Sequence, residues 1–303
     1  MPQTTIQQRE YSINEVINQI YRLGERYEFL DVFPIGQSLL GRPILATRIG
    51  ARNNNVLYVA GFHGSERLTV LLMLIFLEEY CNALENNLSF TISSARNALF
   101  GKSIIVVPCI NPDGYEISRI GSSAAGAQAS VIQQINGNNN IKYWNANARG
   151  VDINHNFDAG FDLMKEIERA DGITGPSPRR YGGSYPESEP ETQALVRLCR
   201  ENYIALAMAW HSQGEEIYWQ YGENTPERSL LLAQLFSTAS GYRVAEPAPS
   251  ASHAGFKDWF INEFSRPAFT IEIGKGVNPL DPTQLYAIYG DTDEMMLLSI
   301  ALA

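Results

Sequence analysis

Apolar positions in this chain fall into short continuous runs and longer stretches with helical spacing, and the two kinds alternate. Val56 to Ala60, Ile104 to Ile110, Ile204 to Trp210 and Ala268 to Ile273 are short runs of the kind that form strands covered on both faces. Phe33 to Gly36 and Ile44 to Ile49 are two further strands, around the turn Leu40-Gly41-Arg42-Pro43. Ser12-Ile13-Asn14-Glu15 is a capping box. It predicts a helix to about Arg26 with Val16, Ile17, Ile20 and Tyr21 as its apolar stripe. Helices are also predicted over Leu68 to Leu84, Glu187 to Asn202, Thr225 to Tyr242, Ala254 to Phe264, and from Leu285 to the C-terminus. The second of these, Glu187 to Asn202, begins with acidic residues at its positive end.

The polar stretches between them predict loops. Asn111-Pro112-Asp113-Gly114-Tyr115 is a strong turn, and Ser122 to Asn140 a loop or weak helix with an exposed tip at Asn136 to Asn140. Val151 to Phe157 is a short extended segment, and Arg169 to Pro186 a long surface loop. Strands alternating with helices predict an α/β fold with helices on both faces of a sheet. No repeat or linker divides the chain, so a single domain over 1–303 is expected, with an N-terminal helix in 1–30 packed on it.

At 303 residues, 45% hydrophobic and 18% charged, the chain has ample material for a large core. A net charge of −10, with no basic tract, argues against a nucleic-acid partner. The longest apolar run, Leu68 to Leu77, is too short to span a bilayer. The polar first ten residues contain no signal core, so the expected location is cytoplasmic, or secreted if a signal has been trimmed. Cys81, Cys109 and Cys199 form no C-x-x-C pair and are read as buried, reduced thiols.

Chemistry concentrates at the strand ends. Gly61-Phe62-His63-Gly64-Ser65-Glu66 joins an apolar strand to an apolar helix and places an imidazole and a carboxylate three positions apart. Alone, the pair is also compatible with a surface turn carrying a satisfied histidine. His211 and Glu272 stand at the ends of two other apolar runs, and the C-terminal edge of an α/β sheet is where sites form. Two imidazoles and one carboxylate make a three-ligand zinc shell with one position open. A further carboxylate is then needed to move a proton from water to a leaving amine. Glu272 either has that work or pairs with a lysine such as Lys275.

These stretches resemble the zinc carboxypeptidases of the carboxypeptidase A kind. The matching segments are Gly36 to Ile44, Gly61 to Glu66, Asn111 to Tyr115, Gly150 to Phe157, Trp210-His211-Ser212, Asp258-Trp259 and Phe269 to Glu272, in the family's order. The resemblance implies one α/β/α domain with a mixed, roughly eight-stranded sheet. It implies one zinc ion on His63, Glu66 and His211, and Glu272 as general base. Where the family has Asn-Arg for the substrate carboxylate, this chain has Asn154-His155. A guanidinium fork is thereby replaced by an imidazole whose charge depends on pH.

Asn154-His155, Tyr185 to Thr192, His211 to Glu215 and Ser252 to Trp259 are similar to the bacterial γ-D-glutamyl-meso-diaminopimelate peptidases. The substrate this implies is a muropeptide, cut between D-glutamate and diaminopimelate. Counting back from Asp258-Trp259 puts Lys257 at the base of the leaving-side pocket, where an ammonium would favour a carboxylate-bearing side chain; otherwise it is a solvated helix lysine. The arginine that polarises the scissile carbonyl has no exact counterpart. Asn145 occupies one alignment, and Arg149 is nominated as the nearest basic residue, unless it braces its loop. The family's mobile tyrosine falls at Ser250, with His253 close enough to share its role, unless it is only an exposed loop histidine. Two other readings compete: a carboxypeptidase releasing acidic C-terminal residues, and a non-catalytic muropeptide-binding module.

Overall fold

The computed structural model describes every residue of 1–303 except 1, 3, 52, 91, 92, 138 and 249–251. The elements in order are α1 (Ile13–Arg26), β1 (Leu30–Gln37), β2 (Pro43–Gly50), β3 (Asn55–Ala60), α2 (Arg67–Glu85), α3 (Ala95–Leu99), β4 (Ser103–Val107), α4 (Pro112–Ile120) and α5 (Ala129–Asn136). There follow α6 (Phe161–Ala170), α7 (Pro190–Glu201), β5 (Ile204–His211), β6 (Glu216–Tyr218), α8 (Arg228–Ser240), β7 (Arg243–Val244), α9 (Phe256–Phe264), β8 (Ala268–Glu272) and α10 (Leu285–Leu302).

The eight strands form one mixed sheet in the order β1-β2-β4-β3-β5-β8-β6-β7. Its centre, β4-β3-β5-β8, is parallel. Both flanking pairings, β2 with β4 and β6 with β8, are antiparallel. All six residues of β3 are buried, because alternate side chains enter two separate cores. Val56, Tyr58 and Ala60 face the core shared with α2 and α10; Leu57 and Val59 face the one built with α7 and α9. The first strand crossover takes the chain from β3 to β4, and the later one brings β5 down on the other side of β3. The order thus reverses between β3 and β5, which opens a crevice at their C-terminal ends.

The N-terminal helix forms as its capping box predicts: Ser12 accepts from the Glu15 amide at 3.2 Å and Glu15 from the Ser12 amide at 2.8 Å. It packs against α2 and β1. No helix among the described residues is long and apolar enough to cross a membrane.

Local readings differ from the sequence expectation in several places, the short helix α3 among them. The turn at Asn111 to Tyr115 is the start of α4, with Asn111 as N-cap accepting from the Gly114 amide at 2.9 Å. Proline in the first helical turn, where its missing N–H costs nothing, gives the same signal as a turn. Val151 to Phe157 contains a single 3-10 turn, Ile153–His155, in place of extended chain. Helix α6, which buries Phe161 and Met164, was not anticipated. Strands β6 and β7 are too short to leave a hydrophobic pattern.

Candidate metal centre and active-site cleft

His63 leaves the end of β3 and Glu66 is the N-cap of α2. The turn between them is tight: a Cβ on Gly64 would lie 2.1 Å from the Gly114 carbonyl oxygen, so only glycine fits there. The Glu66 side chain makes no capping bond to its own helix. Its Oε1 lies 2.8 Å from His63 Nδ1 and its Oε2 3.1 Å from His211 Nδ1. His211 ends β5 and stacks on Phe62, with ring centroids 4.9 Å apart. His63, Glu66 and His211 each offer a ligand atom, all within 4.8 Å of one another.

A further observation fits a cation on this set. His63 lies between two carboxylates, with its Nε2 3.0 Å from Asp152 Oδ1. Burial disfavours a charged His63, yet Glu66 and Asp152 outweigh burial and hold its pKa well above the ordinary value. Burial likewise raises Glu66, but His63 and His211 overcome it and hold the carboxyl at about 2. Nitrogen and carboxylate donors converging on a spot that demands positive charge suit zinc. Asp152 itself is held far below the usual carboxylate range: burial pushes it up, and the nearby His63 and His155 more than reverse this.

Glu272 ends β8 and is in register with His211 on β5. Among the described residues it has neither an ion pair nor a side-chain hydrogen bond, and Lys275 instead meets Glu215 at 2.5 Å. Burial first, then the negative charge of Glu66, push its pKa well above the ordinary value. A carboxylate so placed is suited to accept a proton.

Glu272, His63 and Tyr218 line two adjoining cavities. The smaller, about 80 Å3, also has Asn154, His155, Lys257, Asp258 and Thr270 in its wall. The larger, about 540 Å3, has Ser65, Tyr143, Asn145, Arg179, Ser212 and Asn278. His155 Nδ1 lies 3.1 Å from the Arg180 carbonyl, which can only accept, so that nitrogen carries the proton.

Two nominations need correction, and a third is met with an added partner. Arg149 does not line either cavity; it reaches Glu189 at 3.2 Å and braces its loop, while Asn145 and Arg179 take places in the wall. His253 contacts the Tyr221 hydroxyl at 3.2 Å and also lies outside both walls. Lys257 does line the smaller cavity, yet it is neither solvated nor a lone charge: 4% exposed, it pairs with Asp258 and donates to the Gln220 carbonyl at 2.8 Å. Ser250 lies outside the described residues. Asp152, Tyr218 and Arg179 were not singled out from the sequence. Asp152 stands within the stretch Gly150 to Phe157 that carries the resemblance, which was the signal for it.

With this geometry in hand, comparison with known proteins is specific. Residues 17–292 match the family described as zinc carboxypeptidase. The γ-D-glutamyl-L-diamino acid endopeptidase 1 of Lysinibacillus sphaericus is 36% identical over 97% of this chain and 73% of its own length. Bovine thrombin-activatable fibrinolysis inhibitor superposes with a TM-score of 0.76 over 97% of both chains at 20% identity. The murein-tripeptide amidase of Escherichia coli O157 superposes at 0.51, over 89% of this chain and 90% of that one, at 21% identity. The last two likenesses speak for the fold alone.

Proposed function

We propose, for a chain that belongs to the zinc carboxypeptidase family, that its cleft hydrolyses the amide between a γ-linked D-glutamyl residue and diaminopimelate. The protein is a zinc-dependent peptidase and its substrate is a peptide. His63, Glu66 and His211 hold the ion, and Asp152 fixes the His63 ring. When bound, zinc supplies Lewis acidity that polarises a carbonyl and lowers the pKa of water. Glu272 accepts the proton of the attacking water and delivers it to the leaving amine, a role suited to its raised pKa.

Asn154 and His155 receive the carboxylate next to the leaving amine in the smaller cavity. With its Nδ1 proton committed to the Arg180 carbonyl, His155 turns the other nitrogen to that carboxylate, and donates there only when protonated.

The observation that carries the substrate is the buried Lys257–Asp258 pair in the wall of that cavity. A lone ammonium would select an acidic side chain. A paired ammonium and carboxylate complement a side chain that ends in both charges, and the diaminopimelate side chain does so. The name of the Lysinibacillus relative supports the same class of bond. Incubating the zinc-loaded protein with L-Ala-γ-D-Glu-meso-diaminopimelate and, separately, with an L-peptide ending in glutamate tests the reading. Release of diaminopimelate is expected. Release of glutamate alone would replace the proposal with an acidic-residue carboxypeptidase.

A further inference from the structure

We infer that Arg179 binds the free α-carboxylate of the γ-linked D-glutamyl residue, and so sets specificity on the acyl side of the cleft. This rests on the substrate reading above. Arg179 is the one lysine or arginine in the wall of the larger cavity and, among the described residues, has no ion pair. Its side chain is exposed, yet the backbone on either side is pinned to the metal centre. The Pro178 carbonyl accepts from the Asn145 and Ala146 amides at 2.9 and 3.0 Å. The Arg180 amide donates to Asp152 Oδ2 at 2.9 Å, and its carbonyl faces His155. The Tyr181 carbonyl accepts from the Asp152 amide at 2.7 Å. The loop that carries the guanidinium is thus held by the residue that orients His63.

The two cavities meet at Glu272 and His63, so the scissile bond lies at their junction. With the leaving residue in the smaller cavity, the acyl residue occupies the larger. In an ordinary peptide the acyl residue continues as neutral main chain. In a γ-linked glutamyl residue a free α-carboxylate stands on the carbon two methylenes beyond the scissile carbonyl. The acyl cavity therefore always meets an anion, which an α-linked peptide brings only when its residue there is itself acidic, and a guanidinium fork is the side chain suited to it. The other carboxylates in that wall, Glu66 and Glu272, are committed to the metal and the proton. Arg179 is left as the group that makes this cavity attractive to an anion.

The test compares L-Ala-γ-D-Glu-meso-diaminopimelate with its D-isoglutamine counterpart, in which that carboxylate is a carboxamide, using zinc-loaded wild type and Arg179→Gln. Wild type should prefer the free acid by about 10- to 100-fold in kcat/KM, the range for a charge-assisted contact. Arg179→Gln should raise KM for the free acid until the preference disappears, with the amidated substrate and the zinc content unchanged. An equal fall in kcat on both substrates would overturn the inference, since Arg179 would then polarise the carbonyl. So would a variant that behaves as wild type. If wild type cleaves neither peptide, the substrate reading and the inference fall together; if it cleaves the free acid and the variant keeps its preference, only the inference falls.

Discussion

Asp152 Oδ1 lies 3.0 Å from His63 Nε2, and this contact turns the opposite nitrogen of the ring toward Glu66. The Asp152 carboxylate is itself held by the amides of Asn154 and Arg180, at 3.2 and 2.9 Å. It therefore joins the metal site to the substrate-facing loops. Removing an outer-shell carboxylate of this kind lowers metal affinity by about 10- to 100-fold. Asp152→Ala should show that loss when zinc is titrated against a competing chelator, with the secondary structure retained by circular dichroism. Unchanged zinc affinity would mean that the ring is fixed by packing alone.

The Lys257–Asp258 pair makes a different prediction. Lys257→Met should lower kcat/KM about 10- to 100-fold for a substrate with diaminopimelate on the leaving side. A substrate with lysine there should lose little, because its ammonium still finds Asp258. The variant should also be less stable by about 3–5 kcal/mol, since Asp258 is left buried without its partner. Equal losses on both substrates would assign the pair to packing.

Glu191 predicts a pH dependence of stability. Burial raises its carboxyl to about 7, against bonds from the Leu39 amide and Asn147 that act the other way. A carboxyl raised in the folded state keeps its proton while the unfolded chain has already lost one. Its contribution is complete below the ordinary carboxyl value, falls as pH rises to about 7, and stays lost above that. The loss is roughly 3 kcal/mol. Denaturant unfolding between pH 4.5 and 8 should show this slope in wild type, and Glu191→Gln should flatten it. Parallel profiles for the two proteins would contradict the assignment.

The parts of the fold and site that the sequence revealed share a cause. Buried parallel strands leave continuous apolar runs, so β3, β5 and β8 were visible, and with them His63, His211 and Glu272 at their ends. Residues carried by loops were read less well. Arg149 is close in sequence to the Asn154-His155 pair, but a loop's direction is not encoded in spacing, and its guanidinium turns to Glu189 at the start of α7. Arg179 sits in a polar stretch with no periodicity, and only the bonds to Asn145, Ala146 and Asp152 bring it to the cleft. The pairing of Lys257 with Asp258 was hidden for another reason. Neighbours on a helix normally point apart, and these two meet only in the first turn of α9.

The central claim is that one zinc ion on His63, Glu66 and His211, with Glu272 as proton carrier, splits the γ-D-glutamyl–diaminopimelate bond. Zinc should be titrated into metal-free protein while diaminopimelate release from L-Ala-γ-D-Glu-meso-diaminopimelate is followed, for wild type and Glu272→Gln side by side. Wild-type activity should rise to a plateau at one equivalent per chain. The variant should bind the same single equivalent and lose about 100- to 10,000-fold in kcat, the range for general acid–base catalysis. Release of diaminopimelate without zinc, a plateau only after a second equivalent, or a Glu272→Gln variant as active as wild type would contradict the account.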